Sequence, residues 1–207
     1  MEKSKTSYRK WQMDKSIENP QEIIRCSWSE RSPLYIKYHD EEWGVPIYND
    51  QKIFEFLLLE TFQAGLSWIT ILNKRENFRK AFDNFDYQKV ANYSEKKLNE
   101  LENDSGIIRN KLKIKAAKTN ANAFIAIQQE FGTFSKYLWD FVDGKPIKNN
   151  FKSVSKLPAN TPLSDKICTN LKKRGFKFIG STTIYAHMQA MGMVNDHTID
   201  CYRYNEV

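Results

Sequence analysis

Cysteine and histidine are the scarce residues of this 207-residue chain, with three of each. Cys26, Cys168 and Cys201 are few and odd in number, which excludes a disulfide framework and fits a reducing compartment, the cytoplasm. Three histidines, His39, His187 and His197, cannot furnish the ligand set of a metal phosphohydrolase, so the Tyr38-His39-Asp40 stretch is not read as such a dyad. Long apolar runs are missing as well. The longest, FLLLETF at 56–62, is interrupted by Glu60 and too short to span a bilayer, so no membrane partner is expected. The opening MEKSKTSYRKWQMDKS carries charges but no apolar block, and no secretory signal is read there. Alternating strand patterns are sparse too. FKFIG at 176–180 is the best strand candidate, and no internal repeat or low-complexity tract occurs.

What is present is helical period, aromatics and positive charge. Five Trp, ten Tyr and thirteen Phe can fill a core or offer stacking faces. An excess of 32 basic over 25 acidic residues, net +7, favours a polyanionic partner, of which nucleic acid is the commonest. The polar segment 1–21 reads as an extension, leaving 22–207 as one domain. Within it, Asn49 or Asp50 caps a helix with Ile53, Phe56, Leu57 and Ala64 on one stripe, which Gly65 ends. Ser67 caps the next, with Trp68, Ile71, Leu72 and Phe78 on its apolar side. Further helices are expected near 86–92, 94–103, 108–130, 133–142, 163–174 and 181–191, with Gly175 and Gly192 at C-terminal caps. The fold class is all-α.

Three constellations carry chemistry. His197 and Cys201 stand four apart in NDHTIDC, a spacing that on a helix puts both on one face. The pair alone is a common coincidence, and a satisfied histidine or an inert thiol is its plain reading. Cys26 and His39 are the partners that would complete a tetrahedral Cys2His2 set, while His187 has no second ligand nearby. Four protein ligands close the coordination shell, so one zinc ion there is structural. Glu60 lies on the apolar stripe of its helix, where a carboxylate is costly to bury without a partner. Either an arginine or a backbone amide satisfies it, or it faces a polar ligand in a hydrophobic pocket beside Trp68. LENDSGIIRNKLKIKAAK at 101–118 joins two helical patterns through Ser105-Gly106, with Arg109, Lys111, Lys113, Lys115 and Lys118 following. Free amides leading into a helix N-terminus make a phosphate site. A second basic run, LKKRGFKF at 171–178, adds to it, although a solvated lysine face explains either run alone.

Six ordered blocks, RCSW, PLYIKYHDEEWGVP, ETFQAGLSWITILNKRENFRKAF, DSGIIRNKLKI, KKRGFKFIG and MGMVNDHTIDC, together resemble the bacterial DNA-3-methyladenine glycosylase I family over residues 25–202. The resemblance implies a helix–hairpin–helix glycosylase that flips alkylated adenine out of double-stranded DNA and releases free 3-methyladenine. It implies a structural zinc on Cys26, His39, His197 and Cys201, the four that enumeration also reaches. It further implies that Glu60 and Tyr38 hydrogen-bond the base and that Trp68 stacks on it. Tyr35, Trp28 and Trp43 would line the pocket wall, and Leu66 would face the gap left in the duplex. Arg109, Lys111, Lys113 and the Gly106 turn would meet the DNA backbone. The catalytic aspartate of the wider superfamily is lacking in this family, and no lysine nucleophile is implied, so no strand incision is expected. Thr61, Phe62 and Ser105 depart from the family's usual residues, the first two in a way expected to alter pocket packing. A monomer suffices for this work. The competing readings are a zinc-stapled module that binds damaged DNA without cutting it and, more remotely, a metal hydrolase.

Overall fold

The structure is a computed structural model that describes residues 23–207, so the extension assigned to 1–21 lies outside the described residues. Among those described, nine α-helices follow in order: α1 (Pro33–Glu41), α2 (Asp50–Gln63), α3 (Trp68–Ala81), α4 (Tyr87–Ala91), α5 (Glu95–Asn103), α6 (Lys111–Phe131), α7 (Phe134–Trp139), α8 (Pro162–Lys173) and α9 (Ser181–Ala190). Two two-residue strands, β1 (Ile147–Lys148) and β2 (Val194–Asn195), pair in parallel. They tie the segment before α8 to the approach to His197. No helix is long and apolar enough to cross a membrane among the described residues.

Helix starts follow local chemistry. Ser32 accepts from the Tyr35 amide ahead of Pro33, and Asn49 accepts from the Lys52 amide, so Asn49 is the cap of α2. Asp50 turns away to cap α7, accepting from the amides of Phe134 and Ser135 at 2.9 and 2.7 Å. Asn110 caps α6 through the Lys113 amide, which moves that helix's start from the expected 108 to 111 and leaves Ile108–Asn110 in the turn. Ser67 holds the cap position of α3 but bonds Thr70 Oγ1 instead of the helix amides. The Ile69 amide donates to Tyr35 Oη at 3.0 Å.

Helix α2 runs through the centre. Residues Ile53 to Phe62 are all buried, Glu55 and Glu60 among them, so in place of the expected apolar stripe the helix is covered on every side, by α3, α6, α7 and α9. Thr61 and Phe62 face this core: Thr61 Oγ1 donates to the Leu57 carbonyl, and the Phe62 ring packs on Phe78 and Phe82. Neither lines the pocket described below, so the expected effect on pocket packing does not arise. The FKFIG segment is not a strand. It is a turn in which Phe178 takes a φ of 53° and Asn120 exchanges two hydrogen bonds with the Lys177 backbone. His187 is a core histidine bonded to the Ile53 carbonyl at 3.2 Å, and burial lowers its pKa to about 4.

Candidate functional site

Helices α1, α2, α3 and α9 enclose a cavity of about 290 Å³. Its walls are aromatic: Trp28, Tyr35, Tyr38, Trp43 and Trp68 all line it, together with Glu60. The five aromatics singled out in sequence therefore converge on one space. Trp68 opens α3, where the Tyr35 bond to the next amide fixes the helix start, and its ring lies 5.5 Å from that of Tyr38. Trp28 meets Tyr35 and Trp43 edge to face at 5.6 and 5.1 Å, arrangements that hold the rings upright.

Glu60 is 4% exposed, and no described residue hydrogen-bonds its carboxyl. Burial alone lifts its pKa to about 8, so at neutral pH the carboxyl of the free protein is mostly protonated. Tyr38, fully buried beside it, is raised well above the usual phenol value by burial first and by Glu60 second. No arginine fills the partner role that sequence reading left open for Glu60; the buried Arg75 serves two other carboxylates. Arg75 Nε donates to Glu55 at 2.7 Å, and its two terminal nitrogens clasp Glu42 at 2.8 Å each. Burial raises the Glu55 carboxyl, but Arg75 and Lys52 outweigh it and hold the group below its ordinary range.

Directly behind the pocket wall, Cys26, His39, His197 and Cys201 place their ligand atoms within 4.8 Å of one another, all four side chains buried. Cys201 Sγ lies 3.4 Å from His39 Nε2 and 3.5 Å from His197 Nδ1, and Cys26 Sγ lies 3.7 Å from His197 Nδ1. Tetrahedral ligation with ordinary zinc bond lengths separates sulfur and nitrogen by about 3.6 Å, so the set fits one metal ion. The outer ring nitrogens are held as metal-bound imidazoles require: His39 Nδ1 by Asp40 at 2.8 Å and His197 Nε2 by the Trp43 carbonyl at 3.1 Å. His197 and Cys201 are not on a helix. They flank a turn closed by the Cys201 amide on the Thr198 carbonyl. Gly44 is required here, since its φ is +79° and a Cβ would stand 2.9 Å from His197 Nε2.

The turn between α5 and α6 forms the third part. Lys74 Nζ and Asn77 hold the Ser105 and Gly106 carbonyls from α3, and the Gly106 amide bonds Asp104. The amides of Ile108, Arg109, Lys111 and Leu112 have no hydrogen-bond partner among the described residues. Arg109 is exposed, and Lys111 stands 3.5 Å from Glu102 with most of its side chain in solvent. Lys113 departs from the expectation of a surface cation. It is 7% exposed because Nζ turns inward to the carbonyls of Phe62 and Ala64 at 3.0 and 2.8 Å, capping α2 and tying the turn to the Leu66 loop. Leu66 itself is 41% exposed. In the second basic run, Arg174 is engaged by Glu130 and Asn170, while Lys172, Lys173 and Lys177 are exposed.

Sequence reading missed Gln63, Leu157, Ala186 and Gln189 in the cavity lining. Ala186 and Gln189, three apart on α9, share the face opposite buried Ile184 and Met188; polar Gln189 could have marked that face, while Ala186 carried no signal of its own. Leu157 sits in a loop and carried no signal.

Residues 28–204 match the family model described as methyladenine glycosylase. The Escherichia coli (strain K12) protein named DNA-3-methyladenine glycosylase 1 is 47% identical over 180 residues, 87% of this chain and 96% of that protein. A crystal structure of 3-methyladenine DNA glycosylase I is similar with a TM-score of 0.84 at 48% identity, covering 86% of this chain and 98% of that one. A tyrosine-to-phenylalanine variant of another 3-methyladenine DNA glycosylase I, crystallised in complex with 3-methyladenine, gives 0.83 at 34% identity, covering 86% and 96%.

Proposed function

This chain belongs to the methyladenine glycosylase family, and from that premise we propose that it hydrolyses the N-glycosidic bond of 3-methyladenine in alkylated double-stranded DNA. The observation that carries the reading is Glu60, a buried carboxyl with no partner among the described residues, in a cavity walled by five aromatic rings. A protein scaffold gains nothing from such a group.

The lesion supplies what the pocket lacks. Methylation at N3 makes the adenine ring cationic, and a base must leave the stack to be enclosed by protein. The faces of Trp68 and Tyr38 attract a cationic ring. Glu60 accepts from the exocyclic amine, and the positive ring draws its raised pKa back down, so the carboxylate forms where it is compensated. The C1′–N9 bond then breaks with its electron pair going to N9. This discharges the ring, and the base leaves neutral. Water adds to the oxocarbenium carbon and gives up its proton to solvent. Much of the driving force resides in the lesion, so recognition is the main task of the protein. Leu66 fills the duplex gap. Arg109, Lys111, the Gly106 turn and the free amides after it meet the phosphates as a helix–hairpin–helix, while Lys113 touches no phosphate and braces the turn through the Phe62 and Ala64 carbonyls.

Two thiolates and two imidazoles in this arrangement suit zinc. Bound there, the ion cross-links both ends of the domain spanning 22–207 and takes no part in bond cleavage. The enzyme works as a cytoplasmic monomer in this account. Chromatography of bases released from methylated duplex DNA tests the function, and free 3-methyladenine with unbroken strands is expected. Lesion binding without base release would favour the non-catalytic damage-binding module instead.

A further inference from the structure

Asp196 is 1% exposed, forms no salt bridge with any described cation, and does not line the cavity. Three neutral donors surround it: Tyr185 Oη at 2.6 Å and Gln189 Nε2 at 2.7 Å on one oxygen, and Asn149 Nδ2 at 2.7 Å on the other. Tyr185 and Asn149 both donate to Asp196, so it stands as the acceptor of this cluster and fixes which end of the Gln189 amide faces it. The nitrogen is turned to Asp196. The oxygen, which accepts from no described residue, is the end left to the cavity that Gln189 lines.

We infer that Gln189 is a specificity-determining residue, its amide oxygen oriented by Asp196 to accept a hydrogen bond from the exocyclic amine of the flipped base. This rests on the glycosylase reading above and assigns what it left open, the discrimination between alkylated purines. Adenine offers a two-proton amine at C6, one proton for Glu60 and one for Gln189. A 3-methylated guanine offers an oxygen at that position and sets it against the Gln189 oxygen. A free glutamine would rotate its amide by half a turn and donate to that oxygen. The Asp196 bond opposes the rotation, because a flipped amide would point its oxygen at a carboxylate. Gln189 touches the base, whereas Asp196 acts only through it and is a positioning residue.

The test is the ratio of kcat/KM for 3-methyladenine over 3-methylguanine, both released from one methylated duplex and resolved by chromatography. Gln189→Leu is expected to lower 3-methyladenine release about 10-fold, the loss of roughly one hydrogen bond to a pocket group. Release of 3-methylguanine should hold or rise, so the ratio falls at least as far. Asp196→Asn keeps the shape but allows the amide to turn, and the ratio should fall in the same direction by less. Since Asp196 neighbours a metal ligand, Gln189→Leu, which touches none of the four, carries the test if the aspartate variant fails to fold. Mere destabilisation would slow both substrates alike. An unchanged ratio in folded Gln189→Leu, with wild type active, overturns this inference alone. Wild type that releases no 3-methyladenine overturns the glycosylase reading and the inference with it.

Discussion

Glu55 and Glu60 sit five residues apart on one buried helix, and their surroundings drive them in opposite directions. Arg75 and Lys52 overcome burial and keep Glu55 ionised, while burial alone lifts Glu60 to about 8. The divergence follows from neighbours alone, cations beside one carboxyl and none beside the other. It has a consequence for stability. Between the ordinary glutamate pKa and about 8, the folded protein holds a proton on Glu60 that the unfolded chain has released. Stability therefore falls as pH rises through that window and levels off above it. Glu60→Gln removes the dependence, so in urea titrations the variant should gain on the order of a few kcal/mol over wild type at pH 8 and little at pH 4.5. A gap that does not widen with pH would give Glu60 a hidden partner. The Glu60 anomaly was legible because a carboxylate interrupts the longest apolar run. The Arg75 clasp was not. Its partners lie 20 and 33 residues away, and on each helix taken singly these charges read as a solvated face.

Among the elements, the helices from α2 onward were readable from period and caps, because α3, α5, α6, α8 and α9 each carry start or stop signals in the chain, whereas α1, which holds Tyr35, Tyr38 and His39, was not expected. Strand pairing was not. The two-residue ladder at Ile147–Lys148 and Val194–Asn195 is made by tertiary approach and carries no pattern of its own. Lysine roles after the α5–α6 turn were equally hidden, since four lysines in eight residues look alike until the fold draws one inward. The turn and its buried lysine predict separable outcomes. Arg109→Ala or Lys111→Ala should weaken binding to any duplex and lower the slope of log K against log salt by about 1 each. Lys113→Met should leave that slope unchanged and lower stability by roughly 1.5–3 kcal/mol, because two buried carbonyls lose a charged donor. A slope that falls with Lys113→Met, or stays fixed with both surface variants, would put the phosphates elsewhere.

At the scale of the whole molecule, the four-residue cluster joins the segment at Cys26 to the one at Cys201 and backs the pocket directly. Trp43 lies 4.6 Å from the His197 ring and presents its other side to the cavity. The ligands were legible through scarcity: with three Cys and three His in the chain, few sets exist, and the fold brings together the one that was chosen. A closed site of this kind belongs to folding more than to chemistry. The purified protein should carry about one zinc per chain, and stripping it should lower Tm on the order of 10 °C. Retention of Tm after complete removal would take the metal out of the scaffold.

The central claim is that a lone buried carboxyl reads the alkylated base. Single-turnover release of 3-methyladenine by wild type and Glu60→Gln, with affinity for undamaged duplex measured in parallel, tests it most directly. Excision should slow about 10- to 100-fold, the loss of a charged hydrogen bond, while undamaged-DNA affinity stays the same. Wild-type excision in the variant would contradict the account and remove Glu60 from the site.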